Sequence, residues 1–143
     1  MSRPVQDWAR FTVGERFGPY RYEVTQAVVT ALRTAVGDWS LTSVGGEQVA
    51  PAMILTFPFL QLIESAYVPR PGVIHAEQEF ELRAPVRVGA TLTCTGRLTS
   101  MFLRRERRYF RVTAQAADER GTVVARSITT ALYPDVDLRP TGG

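Results

Sequence analysis

The stretch PAMILTFPFLQLI, residues 51–63, decides how the rest of the chain is read. Pro51 suits the first position of a helix. Ala52, Met53, Ile54, Leu55, Phe57, Phe59, Leu60, Leu62 and Ile63 leave that helix almost no polar side. A helix apolar nearly all the way round is buried. Pro58 lies inside it and is expected to bend it or divide it in two, because proline lacks a backbone N–H and crowds the preceding turn. Met53, Phe57, Phe59, Leu60 and Ile63 are accordingly expected in the core first of all.

Such a helix needs a cover, and the residues that follow can supply one. Residues 73–83, 90–100, 107–116 and 122–132 are rich in Val, Thr, Ile, Phe, Tyr and Leu, with alternation at Phe80/Leu82, Leu92/Cys94 and Phe110/Val112/Ala114. Turn signals separate them at Ala84-Pro85 to Gly89, at Arg104 to Arg108 and at Asp118-Glu119-Arg120-Gly121. Four strands in succession predict an antiparallel meander.

On the other side of the helix, residues 17–22 read as a short or bent strand interrupted by Gly18-Pro19. Thr25 is placed to cap a helix through about Val36, with Val28, Val29, Leu32 and Val36 as its apolar face and Gly37 as a left-handed stop. Residues 38–49, DWSLTSVGGEQV, read as a loop. Residues 1–16 form a surface arm pinned by Trp8 and Phe11, and residues 134–143 a tail with a frayed end at Thr141-Gly142-Gly143. A sheet that must cover one all-apolar helix has to curl around it. The expected architecture is therefore α+β, a single hotdog domain with a curved antiparallel sheet wrapped around a central apolar helix.

Composition narrows the chemistry. A chain of 143 residues, 45% hydrophobic and 22% charged, holds one core and needs no covalent or metal staple. One cysteine, Cys94, and one histidine, His75, supply neither a disulfide nor a zinc site. No run of about 20 apolar residues offers a membrane helix, and the first residues lack a signal-peptide stretch, so the expected compartment is the cytoplasm. All 17 basic residues are arginine, which excludes lysine-based Schiff-base chemistry. The net charge of +3 and the lack of a recognition module speak against nucleic acid. Neither a G-x-G-x-x-G nor a Walker segment occurs, and Ser40, Ser43 and Cys94 sit in no nucleophile elbow.

FTVGERFGPYRYEVT (11–25), VGDWS (36–40), VAPAMI (49–54) and GVIHAEQEFELRAPVRVGATL (72–92) together resemble the MaoC-like hotdog dehydratases, especially the N-terminal half of double-hotdog dehydratases of fatty-acid-synthase type. The resemblance implies action on acyl thioesters of coenzyme A or acyl carrier protein, with no further cofactor. The implied reaction adds water to a trans-2-enoyl group or removes it from a 3-hydroxyacyl group, with (R) specificity. It also implies two hotdogs paired side by side, as a homodimer or with a catalytic hotdog subunit. Active halves of the family resemble one another in a D-x-N-P-x-H segment. Gly37-Asp38 matches its start, whereas Ser40, Leu41 and Ser43 stand at its asparagine, proline and histidine. A hydratase needs a base near neutral pH, which a serine hydroxyl is not. That departure is typical of the acyl-binding, non-catalytic half.

The candidate catalytic residues are Asp38 and His75, and the candidate substrate-binding residues are Trp39, Ala52, Met53 and Phe57. Each has a plainer reading beside it. Asp38 follows a helix-ending glycine and could simply bond its own turn. His75 lies in a strand, where a lone histidine is often structural; its functional reading needs Asp38 to approach it across the subunit seam. The Ala52 N–H heads the buried helix, where first-turn donors suit a thioester oxyanion or are satisfied by water or a cap. The cluster Arg104, Arg105, Arg107, Arg108 and Arg111 either coats a solvated hairpin edge or attracts phosphate. Three functions stay open: the acyl-binding half of a hydratase or dehydratase, a homodimeric thioesterase or specialised dehydratase using Asp38 and His75, and an acyl or small-ligand carrier without chemistry.

Overall fold

The computed structural model describes residues 2–38 and 42–135. Residues 52–66 form the central helical segment, a 3-10 turn over Ala52–Leu55 running into helix α2, Thr56–Ala66. Ile54, Leu55, Phe59 and Leu62 are fully enclosed. Pro58 does not divide α2, which runs unbroken through it. It sits in the first turn, where an N–H has no intrahelical acceptor to lose, and the division falls earlier, at Leu55/Thr56. Met53 and Phe57 depart from the core reading as well, being 62% and 43% exposed.

Around this helix curls one antiparallel sheet, built from β1 (Arg16–Glu23), β4 (Ile74–Leu82), β5 (Thr91–Arg104), β6 (Arg107–Ala117) and β7 (Val123–Tyr133) in the order β1-β5-β6-β7-β4. Strands β5, β6 and β7 form a meander. Strand β4 does not join it where the alternation of strands and turns placed it, since it pairs with β7 at the far edge. The cause is the link between β4 and β5, which is a crossing segment instead of a hairpin. Val86 is buried, its carbonyl accepts from the Ala50 N–H at 2.7 Å, and the Val88 N–H donates to the Gln48 carbonyl at 2.9 Å. The two edge strands therefore grip the helix from opposite sides. On one side the Tyr20 hydroxyl donates to Gln61 Oε1 at 2.7 Å, and on the other the Phe59 and Phe80 rings meet at 6.0 Å.

Helix α1, Gln26–Val36, keeps its expected caps: the Thr25 side chain accepts from the Val28 N–H, and Gly37 is left-handed with φ 69°. Its inner face differs, because Val29 and Arg33 are the buried residues whereas Val36 is 58% exposed. A side chain at i and one at i+4 share a helix face, so Arg33 follows Val29 inward. Residues 42–49 carry a small hairpin, β2 (Ser43–Val44) and β3 (Glu47–Gln48), around Gly45-Gly46. The arm packs as expected, with Phe11 edge-on to Tyr67 and Phe110 and Trp8 against Tyr133.

Beyond Leu98, strand β5 has β6 as its one strand neighbour among the described residues, and the two meet in a two-residue tip at Arg105-Glu106, so Arg104, Arg105 and Arg107 are exposed at a solvated hairpin end as expected. Arg108 lies over the Tyr133 ring at 4.7 Å and Arg111 over Phe102 at 4.6 Å. No helix among the described residues is long and apolar enough to cross a membrane.

Candidate active-site cleft

A cleft of about 560 Å³ opens between the end of α1, the start of the buried helical segment and the link that leaves β4. Asp38 forms one wall, Pro51, Ala52 and Met53 the floor, and Leu82 to Val86 the opposite wall. The local sequence accounts for each part. Gly37 turns the chain sharply, which only a residue without a Cβ does cheaply, and thereby delivers Asp38 to the rim. Arg33, only 4% exposed, then fastens both ends of the 38–49 segment. Its Nη1 donates to the Asp38 carbonyl at 3.1 Å and its Nη2 to the Val49 carbonyl at 2.9 Å.

The opposite wall is held by charge. Arg87 pairs with Glu119 at 2.8 Å and reaches Asp118 and Glu47 at 3.5 Å. The hydrogen bond from Arg87, together with backbone N–H donors, holds the Glu119 carboxyl down at about 2. The floor carries the electrophilic feature. No side chain among the described residues caps the turn at Pro51, and Pro51 itself has no N–H, so the first available donors are those of Ala52 and Met53. Such first-turn N–H groups carry partial positive charge and suit a developing oxyanion.

Of the residues singled out in the sequence, Asp38, Ala52 and Met53 come together here. Phe57 is half-exposed one turn further along α2, outside the cleft lining. Trp39, with Ser40 and Leu41, lies outside the described residues. Ser43, at the position of the family's histidine, is exposed in β2. His75 is at the other end of β4, seven residues before Leu82 and hence roughly 23 Å along the strand from the cleft. Its register partner is the core-facing Ala131, so its ring leans to the helix side of the sheet. A single chain thus keeps Asp38 and His75 apart. Cys94 is fully enclosed, and burial pushes its thiol up to about 12, far from a reactive thiolate.

Two parts of the cleft escaped the sequence reading. Arg33 had a signal in its spacing from Val29, but a charged residue is rarely assigned inward. The Leu82–Val86 wall was signalled by Val86 and Val88, apolar residues inside what otherwise looks like a turn.

Comparison with known proteins agrees with this fold. The family described as FAS1-like, dehydratase domain region, matches residues 11–127. An (R)-specific enoyl-CoA hydratase of Rhodospirillum rubrum is 31% identical over 97 residues, which are 68% of this chain and 65% of that protein. The chain thus spans just under two thirds of the length of that curated relative. The solved (R)-hydratase from A. caviae involved in PHA biosynthesis superposes with a TM-score of 0.71 at 18% identity, covering 87% of this chain and 98% of the other. A HadBC complex from Mycobacterium tuberculosis, a 3R-hydroxyacyl-ACP dehydratase, has a chain that superposes with a TM-score of 0.63 at 17% identity, covering 85% and 96%. The fold is that of the hotdog proteins of MaoC-like type. Within that class, the chain belongs to the FAS1-like dehydratase-region family.

Proposed function

We propose that the chain is the acyl-binding half of an (R)-specific enoyl-thioester hydratase or 3-hydroxyacyl dehydratase, and that a partner hotdog subunit brings the catalytic aspartate and histidine. The observation that carries this reading is the cleft itself. It joins a carboxylate, a row of helix-start N–H groups and the apolar Met53 and Leu82, yet the chain's one imidazole stands at the far end of β4. In this role the Ala52 N–H polarises the thioester carbonyl of a coenzyme A or carrier-protein substrate, and Met53 and Leu82 line the path of the acyl chain. Moving the proton at neutral pH then falls to an imidazole from outside the chain. The two-component HadBC dehydratase is a precedent for such an assembly. Assay of a short trans-2-enoyl-CoA tests the proposal: the purified chain is expected to leave it unhydrated, and the complex co-purified from the source cell to hydrate it. Hydration at ordinary enzymatic rates by the chain alone would sink the reading.

One observation favours a second reading. His75 leans to the helix side of an exposed edge strand, so two copies laid antiparallel along β4 would carry each His75 toward the other's Leu82 end. A homodimer would then assemble Asp38 and His75 as a hydratase or thioesterase pair across the seam. Asp38→Asn and His75→Ala should each collapse turnover of the homodimer on a cognate thioester, and unchanged turnover rules the pair out.

A further inference from the structure

Strand β4 is the exposed edge of the sheet, nine residues or about 30 Å of backbone whose outer row of N–H and C=O groups meets no strand among the described residues. The opposite edge, β1, is a poor acceptor for a further strand, because Pro19 sits within a break in its register. Exposed apolar side chains stand at both ends of β4. Ile74 and Leu82, at its two ends, are each 55% exposed, and Met53 stands beside Leu82 in the cleft.

The two faces of β4 carry different information. Gln78 donates from Nε2 to Ser127 Oγ at 3.2 Å and Phe80 packs on Phe59, so both point toward the helix. Glu77, Glu79 and Glu81 therefore share the outward face. Glu81 pairs with Arg83 at 2.9 Å and stands opposite Arg126 in register. Glu77 and Glu79 stand opposite Thr130 and Ile128, and neither forms an ion pair among the described residues. Residues directly opposite each other in an antiparallel pair share a face, and a one-residue slip would turn Gln78 and Phe80 to the wrong side. Any two-fold pairing of this edge with a second copy that keeps the faces aligned thus sets a row of glutamates against a row of glutamates. Like charges directly opposite destabilise a ladder, and unlike charges stabilise it.

From this we infer that β4 is an interface selected against self-pairing, built to accept a hotdog subunit whose edge strand carries arginine or lysine on its outward face. The inference rests on the paired-subunit reading above and deepens it, by naming the seam and the charge that chooses the occupant.

Charge-swapped copies of the full chain serve as the probe. Wild type, Glu77→Gln/Glu79→Gln and Glu77→Arg/Glu79→Arg are checked for folding by circular dichroism, then mixed with isotope-labelled wild type and counted by native mass spectrometry and sedimentation. Cross-strand charge energies lead to an expected mixed pair of wild type with the arginine variant about tenfold tighter than the wild-type homodimer. The advantage should shrink as ionic strength rises from about 50 to about 500 mM. Hydrogen exchange should slow over residues 74–82 on pairing. The glutamine variant, which keeps shape and loses charge, should self-associate more tightly than wild type, and it carries the test if the arginine variant does not fold. A wild-type homodimer as tight as both the mixed pair and the glutamine homodimer would overturn the inference, as would protection appearing elsewhere than β4. No substrate enters this experiment, so its failure leaves the hydratase reading to the turnover assay. Failure of the turnover assay likewise leaves the interface standing.

Discussion

Arg33 shows what one side chain does for the cleft. Its guanidinium is enclosed and donates to the carbonyls at both ends of the segment that carries Asp38. Arg33→Met would leave those carbonyls short of a donor, and the loss is expected to be about 1–3 kcal/mol in urea unfolding, with Arg33→Lys in between. An unchanged midpoint would mean that the segment is held by other means. Glu119 permits a prediction in pH. Arg87 holds this carboxyl at about 2 in the folded chain, against 4.5 as its ordinary value. A group whose pKa is depressed on folding stabilises the fold above its unfolded pKa, and that contribution fades as pH falls from about 4.5 toward about 2. Glu119→Gln should therefore flatten the stability curve within this acid window and leave its slope near neutrality unchanged. These side chains differ in legibility. Asp38 stood out by following Gly37, whereas Arg33 and Arg87 act through partners outside their own elements.

At the scale of the element, the buried helical segment separates two kinds of apolar residue that look alike as letters. Phe59 is 1% exposed and Met53 is 62% exposed, although both belong to the same greasy run. Phe59→Ala is expected to cost about 3–5 kcal/mol, the range for emptying an aromatic site in a core. Met53→Ser should cost less than about 0.5 kcal/mol in the chain alone, as surface changes do, while lowering turnover of the complex proposed above. Thermal unfolding beside a turnover assay separates the two, and a large stability loss at Met53 would place it in the core after all. Helix caps and strand periods depend on near neighbours, which is why Thr25, Gly37 and the alternation of β5 to β7 are readable, whereas the two-residue strands around Gly45-Gly46 lie in a stretch that reads as loop. Pro58 was misjudged because its effect depends on where the helix starts, and that point is set by the packing of Ile54 and Leu55.

For the molecule as a whole, the decisive fact is the transfer of β4 to the edge beyond β7. It leaves a helix gripped from both sides, a cleft at one end and, along the flank, an edge strand with no further strand beside it among the described residues. A subunit docking there binds only the folded chain, so it must raise thermal stability by mass action, by about 2.7 kcal/mol at a hundredfold excess over its dissociation constant. A melting temperature of the chain that stays constant when a hotdog subunit from the same co-purified complex is added would show that the two do not pair.

The sequence by itself determined the elements and the class: a buried helix, long alternating strands, and their caps and turns. Those features follow from contacts within a few residues and from periodicity, which a linear reading contains. Only the tertiary structure decided that β4 leaves the meander, that Met53 faces a cleft while Phe59 fills the core, that Arg33 turns inward, and that Asp38 and His75 stand at opposite ends of one strand. Each of these depends on which distant segments come to share a surface. Local propensity does not encode that choice, because the burial of one apolar helix against a curved sheet selects it for the chain as a whole.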